Sequence, residues 1–269
     1  MIESVLRRDR TVVAAALIAL TALAWAYLVW LNGHMATATV PSMANLPGMR
    51  SMPGTNMATN PFAPAELGFA FVMWAVMMVG MMTPTAAPMI LLYARIGQQA
   101  TGRGTVFPAT GWFAAGYLAV WTAFAVLAGV MQAVLAQAAL MTPMMSVSNN
   151  VVAGGLLLVA GVWQWVPLKD TCVGQCQSPF GFLQRVGGFK RDRAGAFAQG
   201  AKHGFYCVGC CWALMVLLFV GGVMNLLWVA ALSIFVLVEK LIPAGKIITR
   251  SAGLVAITAG IIFLAKSVM

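Results

Sequence analysis

Charge is what this sequence has least of. Only 8% of its 269 residues are charged, and only six are acidic. A soluble domain carries about 25% charged residues. A chain this size with so few charges cannot clothe its own surface in water, which excludes a soluble globular protein and a disordered chain. Histidine is scarce as well, with two residues. The sequence offers no Ser/His/Asp set, no paired intramembrane carboxylates, no phosphate loop and no haem attachment motif, so an ordinary hydrolase or ATPase has no support. The net charge of +10 does not point to nucleic acid, because membrane proteins concentrate Lys and Arg in their cytoplasmic loops.

What is present is apolar. Hydrophobic residues make up 61% of the chain, with a mean hydropathy of +0.89. A membrane span needs about 20 apolar residues. Apolar runs place spans at roughly 12–31, 66–93, 110–137, 150–168, 204–223, 225–242 and 247–268. The expected fold is all-α, a polytopic transmembrane helical bundle of about seven spans in a single membrane domain. Six spans with one long kinked helix is the other reading. The first run follows Arg7, Arg8 and Arg10 and ends in Trp25, Tyr27 and Trp30. It is too long for a cleavable signal core and reads as a retained span. Thr83-Pro84 and Pro88 predict a kink or break in the second, because proline removes a backbone donor and crowds the preceding turn.

Basic residues set the orientation. With the N-terminus cytoplasmic, the inside group is Arg7, Arg8, Arg10, Arg95, Arg103, Lys169, Arg185, Lys190, Arg191, Arg193, Lys202, Lys240, Lys246 and Arg250. The outside group is Arg50 and Lys266. This asymmetry follows the positive-inside rule and is expected of a bacterial cytoplasmic membrane. It leaves a Met-rich external loop at 32–65 and a Cys-containing cytoplasmic loop at 169–203. A short amphipathic helix near 180–200 is expected to lie on the anionic leaflet.

All five cysteines fall in the stretch from Cys172 to Cys211. Cys172 and Cys176 are one helical turn apart. If the next group is helical, His203, Cys207 and Cys211 share one face, with Cys210 beside them. Both groups belong to the same side of the membrane, so they could meet. Thiolate and imidazole suit soft or borderline ions such as Cu(I) and Zn(II). Cytoplasmic thiols stay reduced, which favours metal binding or redox sensing over a structural disulfide. A buried cysteine is otherwise a small hydrophobe, but five cysteines and one of two histidines in 40 residues form an unusual concentration.

Methionine is abundant, with 19 residues. In the second span Met73, Met77 and Met81 recur at helical spacing, with Met78 and Met82 alongside. Thioether sulfur is a neutral, soft ligand that holds Cu(I) without burying an anion; methionine also simply fills membrane cores. The external stretch adds His34, Met35, Met43, Met49, Met52 and Met57 as metal-capture candidates. Glu239-Lys240 reads as an interfacial ion pair rather than a proton relay. Asp170 is either an oxygen ligand beside Cys172 or a solvated residue. Asn149-Asn150 reads as a helix cap. Gly111, Gly116, Gly253 and Gly260 mark small-residue faces for helix packing.

Two motifs carry a family resemblance. They are Trp74-x2-Met77-Met78-x-Gly80-Met81-Met82-x-Pro84-x3-Pro88 and Tyr206-Cys207-Val-Gly-Cys210-Cys211-Trp212-Ala-Leu-Met215. Over residues 66 to 260 the chain resembles an uncharacterised prokaryotic family of predicted metal-binding integral membrane proteins. The resemblance implies metal binding at Cys207, Cys210 and Cys211. The expected function is a membrane protein that binds a soft metal, Cu(I) first and Zn(II) second, in transport, delivery or cofactor assembly. Its partners are the lipid bilayer, the metal ion, and a membrane protein or a second copy of the chain. A membrane thiol-redox protein and a structural subunit of a larger complex are the alternatives.

Overall fold

Ten helices carry the fold in the computed structural model, which describes residues 2–38, 61–101, 107–142, 145–242 and 245–268. They are α1 (Ile2–Ala38), α2 (Pro64–Thr101), α3 (Phe107–Gln137), α4 (Asn150–Trp163), α5 (Pro167–Gln177), α6 (Pro179–Arg185), α7 (Arg193–Val216), α8 (Leu218–Gly221), α9 (Leu226–Leu241) and α10 (Gly245–Val268). Among the described residues there is no strand, only an isolated antiparallel bridge between Met141 and Val147.

Five stretches are long and apolar enough to cross a membrane: Thr11–His34, Pro64–Gln99, Ala109–Gln137, Arg193–Gly221 and Lys246–Ser267. The expected span at 150–168 is instead a pair, α4 and α5, bent by 67° at a short break. Trp165 and Val166 lie in that break, and Pro167 opens α5 at a position where its missing N–H has no helical role. The helix at 225–242 is present as α9 but has only 16 residues, about 24 Å at the usual rise.

α2 runs unbroken through Pro84 and Pro88, contrary to a break in the second span. Its neighbours supply the missing bonding. Pro84 has no N–H to give the Gly80 carbonyl four residues back, and the Trp25 indole of α1 donates to that carbonyl at 3.3 Å. The Met82 carbonyl, which neither proline frees, takes additional bonds from Thr85 Oγ1 at 2.8 Å and from Tyr117 of α3 at 3.0 Å. A proline helix survives in an apolar bundle when side chains of neighbouring helices re-satisfy the freed groups.

Glycine lets the backbones touch. A Cβ on Gly200 of α7 would lie 1.9 Å from Phe113 O, and one on Gly116 of α3 would lie 2.1 Å from Phe197 O. α4 and α10 meet the same way, Gly154 against Gly260 O and Gly161 against Gly253 O. The faces of Gly116, Gly253 and Gly260 are therefore used for packing inside this chain.

The segment 169–203, expected as a loop, is mostly helical. α5, α6 and the first turns of α7 occupy it. The amphipathic helix expected near 180–200 is interrupted, because Gly187 and Gly188 adopt φ of +87° and +77°, a region glycine enters without penalty. Gln199 donates to Gly188 O at 2.5 Å, and Tyr93 donates to Lys190 O at 2.8 Å, so the connection is pinned to α2 and α7. Asn149 caps α4 as expected, accepting from Val151 N at 2.8 Å.

Candidate metal site

Four helices converge on Cys207. The α7 helix begins at its Asp192 cap, whose carboxylate accepts from Gly195 N at 2.7 Å, and its regular turns put His203, Cys207 and Cys211 on one face. Cys207 and its neighbours Cys210 and Cys211 are at most 1% exposed. Tyr117 of α3 stands 3.1 Å from Cys207 Sγ. Lys240 of α9 donates to the same sulfur at 2.8 Å, lies 4.0 Å from Cys211 Sγ, and reaches Thr85 of α2 at 3.4 Å. Through Tyr117 the cluster touches the Met82 carbonyl of α2.

The α5 helix brings the first pair of cysteines to the second group. Gln177 donates to the Glu239 and Ile242 carbonyls at 2.9 and 3.3 Å. It thereby closes the C-terminal end of α9 and anchors α5 beside it. Cys176, next in sequence, interacts with the thiols of Cys207 and Cys210. Cys172 lies over the bare backbone of Gly209, where a Cβ would come within 3.1 Å of its sulfur. All five cysteines are free thiols.

The cluster is not a finished coordination sphere. Among the described residues, no group of three or more His, Cys, Asp or Glu is arranged to hold a metal ion. Cys210 and Cys211 instead donate to the Cys207 carbonyl at 3.0 and 2.9 Å, so their thiols turn back onto their own helix. His203 is 2% exposed and boxed by aromatic rings, with Phe182 at 5.1 Å, Tyr117 at 5.8 Å and Phe113 at 6.1 Å. Its Nδ1 has no hydrogen-bond partner. Buried sulfur and nitrogen donors of this kind are the types that suit a soft ion.

The reading of Glu239 with Lys240 as one ion pair is overturned. The two are adjacent on a helix and point about 100° apart, so each has its own partners. Glu239 is fully buried and takes Lys169 at 2.5 Å and Thr249 at 2.6 Å; Lys169 also donates to Gln164. Lys240 goes to the thiols instead. It is the functional residue that sequence reasoning missed, along with Tyr117 and Thr85. The available signal was an ionisable residue inside an apolar run, which by default marks a site.

The other candidates are distributed differently. Met77, Met78, Met81 and Met82 are fully buried in the same core as Cys207, Cys210 and Cys211. Asp170 faces Lys246 and Arg250 of α10, each at 4.0 Å. His34 is exposed on α1, its Nδ1 2.9 Å from Trp30 O. Met35 lies in α1; Met43, Met49, Met52 and Met57 lie outside the described residues.

The fold and the cluster together define a class: a helical protein with several long apolar helices and a buried group of thiols. Residues 71–263 match the model of the PpoB2 family, described as a copper chaperone, and the chain belongs to that family. The match supports a copper-related family, in line with the metal-binding resemblance drawn from the sequence. No curated protein and no solved structure matches the chain.

Proposed function

We propose that this protein accepts Cu(I) within the membrane and delivers it at the cytoplasmic face, with Cys176, Cys207, Cys210 and Cys211 as the delivery ligands. The observation that carries the reading is the convergence of Cys176 on Cys207 and Cys210 beside Lys240, in a chain of a copper chaperone family. Thiolates bind a soft ion more tightly than thioethers do, so copper held by Met77, Met78, Met81 or Met82 has a downhill path to the cysteines. A Cu(I) ion held by two thiolates carries a net negative charge. Lys240 is placed to balance it where an unpaired charge is expensive.

In this reading the chain has seven spans and a cytoplasmic N-terminus. The five long apolar helices are joined by the bent α4–α5 pair and by the short α9. The basic residues still support the orientation. Lys169 and Lys240 are buried with partners and drop out of the loop count, which leaves twelve basic residues inside against two outside. The thiols then face the reducing compartment, where they remain available to metal.

The test is elemental analysis of protein purified in detergent from copper-replete cells. The wild-type chain is expected to retain copper, and the Cys207→Ser/Cys210→Ser/Cys211→Ser variant to lose it. Unchanged copper in that variant would refute the site. A Cys176–Cys207 disulfide in a copper-free protein would replace delivery with thiol redox chemistry.

A further inference from the structure

We propose that the cavity at the far end of α2 is a separate loading site for a soft monovalent cation, with the Met141 and Met145 thioethers as ligands and Glu66 as the charge that attracts the ion. The identity of the ion rests on the copper reading above; the site itself rests on its own geometry.

The cavity has a volume of about 480 Å³ and lies between the start of α2, the end of α3 and the 141–147 hairpin. Its lining includes Glu66, Ala70, Gln132, Met141, Thr142 and Met145. Glu66 is exposed, whereas Met141, Met145 and Gln132 are half-buried. Nineteen residues of α2 separate Glu66 from Thr85, the residue that touches Lys240. That is about 28 Å of helix, so the cavity sits at the start of α2 and the thiols near its middle.

The hairpin is held firmly. Met145 takes φ of +55°, an unfavourable conformation for a residue with a side chain. Several bonds fix it there. Met145 N donates to Thr142 O at 2.9 Å, Thr142 N donates to Ser146 O at 2.8 Å, and Val147 N donates to Phe219 O at 2.8 Å. Non-glycine residues kept in such conformations gather at ligand sites.

The sulfur is aimed as well as the backbone. Gln132 Nε2 donates to Met145 Sδ at 3.6 Å, while the Gln132 carbonyl accepts from Trp74 Nε1 at 2.7 Å. A thioether has two lone pairs, so one is committed to Gln132 and one is left for an ion. Two thioethers with a carboxylate nearby suit Cu(I) or Ag(I), and suit a hard divalent ion poorly.

The wall of the cavity at Ala70 continues along α2 into a line of sulfur. From Ala70 in its wall, Met73, Met77 and Met81 follow at three, seven and eleven residues along one face of α2, all at most 1% exposed. Next to Met81, the Met82 carbonyl bonds Tyr117, which touches Cys207. Neutral thioethers would pass a cation through the apolar interior without buried anions.

The test uses Ag(I), a redox-inert soft cation, on the full-length protein in detergent. The background is the Cys172→Ser/Cys176→Ser/Cys207→Ser/Cys210→Ser/Cys211→Ser variant, which removes all five thiols. Adding Met141→Leu/Met145→Leu is expected to remove one retained Ag(I) per chain; Leu is close to Met in volume and leaves the packing intact. Glu66→Gln, at an exposed position, is expected to weaken that site about fivefold while keeping its stoichiometry, as loss of a single solvated charge would. In the thiol-intact chain supplied with one equivalent of Cu(I), the Met141→Leu/Met145→Leu pair should slow loading and leave the final copper content unchanged, because the stronger thiol ligands take that ion. Equal Ag(I) retention and affinity with and without the methionine pair would overturn the proposal. Retained Ag(I) at Met141 and Met145 in a chain whose cysteines bind no copper would overturn the delivery reading alone.

Discussion

The start and the middle of α2 gather different chemistry. At Thr85 and Met82 the helix meets thiols, an ammonium and a phenol, all buried and bonded to one another. At Glu66 and Ala70 it borders a cavity with an exposed carboxylate and half-buried thioethers. The thiols are buried and are the stronger ligand type for a soft ion. The thioether end offers access and weaker ligands. A protein that only stored a metal would have no use for the second arrangement; one that hands it on needs ligands of graded strength.

The charged end is the easier of the two to break. Lys169 and Glu239 are both fully buried, and the pair ties α5 to α9. Removing one member strands the other charge, a loss of about 3–5 kcal/mol. Lys169→Met is therefore expected to produce the largest loss of thermal stability in detergent among the substitutions considered. Lys169→Met/Glu239→Leu should recover most of it, because a matched apolar replacement leaves no buried charge. An equal loss in both variants would show that Lys169 acts through packing alone.

Backbone contact sets the next effect. Gly200→Ala would drive a methyl group into the Phe113 carbonyl and push α3 from α7. Overpacking of this kind costs about 1–3 kcal/mol, and it should move Tyr117 away from Cys207. The thioether end should be untouched, since its cavity is lined from the far ends of α2 and α3. Thermal melting together with alkylation of the thiols checks both halves: the variant should melt lower and react faster.

Much of this was legible in the sequence, and the failures have particular causes. Apolar runs located α1, α2, α3, α7 and α10 because each is long and continuous. The helical face of His203, Cys207 and Cys211 followed from their spacing alone. The α5 and α6 helices were hidden, since a hydropathy reading registers apolar length and these are short and polar. Their signals were present in Pro167 and Pro179 at first-turn positions. Pro84 and Pro88 read as a kink or break because the donor that compensates the Gly80 carbonyl, Trp25, comes from another helix. Lys240 was misassigned because adjacency in sequence was taken for contact, which a helix does not permit. The meeting of Cys176 with Cys207 and Cys210 was an open question for sequence, since it depends on Gln177 docking α5 onto α9.

Lys240 separates charge from bulk at the thiol end. Lys240→Met keeps a long apolar stem but removes the cation beside Cys207. Copper affinity is expected to fall about tenfold, or about 1.4 kcal/mol, measured by competition with a Cu(I) chelator. Lys240→Arg keeps the charge and should lie between the two. Ag(I) binding at Met141 and Met145 should be the same in all three chains. A parallel change at both ends would mean that the substitution alters the whole bundle.

The smallest effect is expected at Tyr117, and it tests whether the phenol holds the cluster or merely lines it. Tyr117→Phe removes the bonds to Met82 O and Cys207 Sγ. No buried acceptor is stranded, because Thr85 Oγ1 still donates to Met82 O and Lys240 still reaches the sulfur. The loss of stability should therefore stay near 1 kcal/mol, the net value of an ordinary hydrogen bond. Copper content should be retained. If Tyr117 orients the Cys207 thiol, alkylation at Cys207 should quicken while the other four cysteines react as before. If alkylation is unchanged, Lys240 alone positions the sulfur, and the phenol only ties α3 to the Met82 carbonyl of α2.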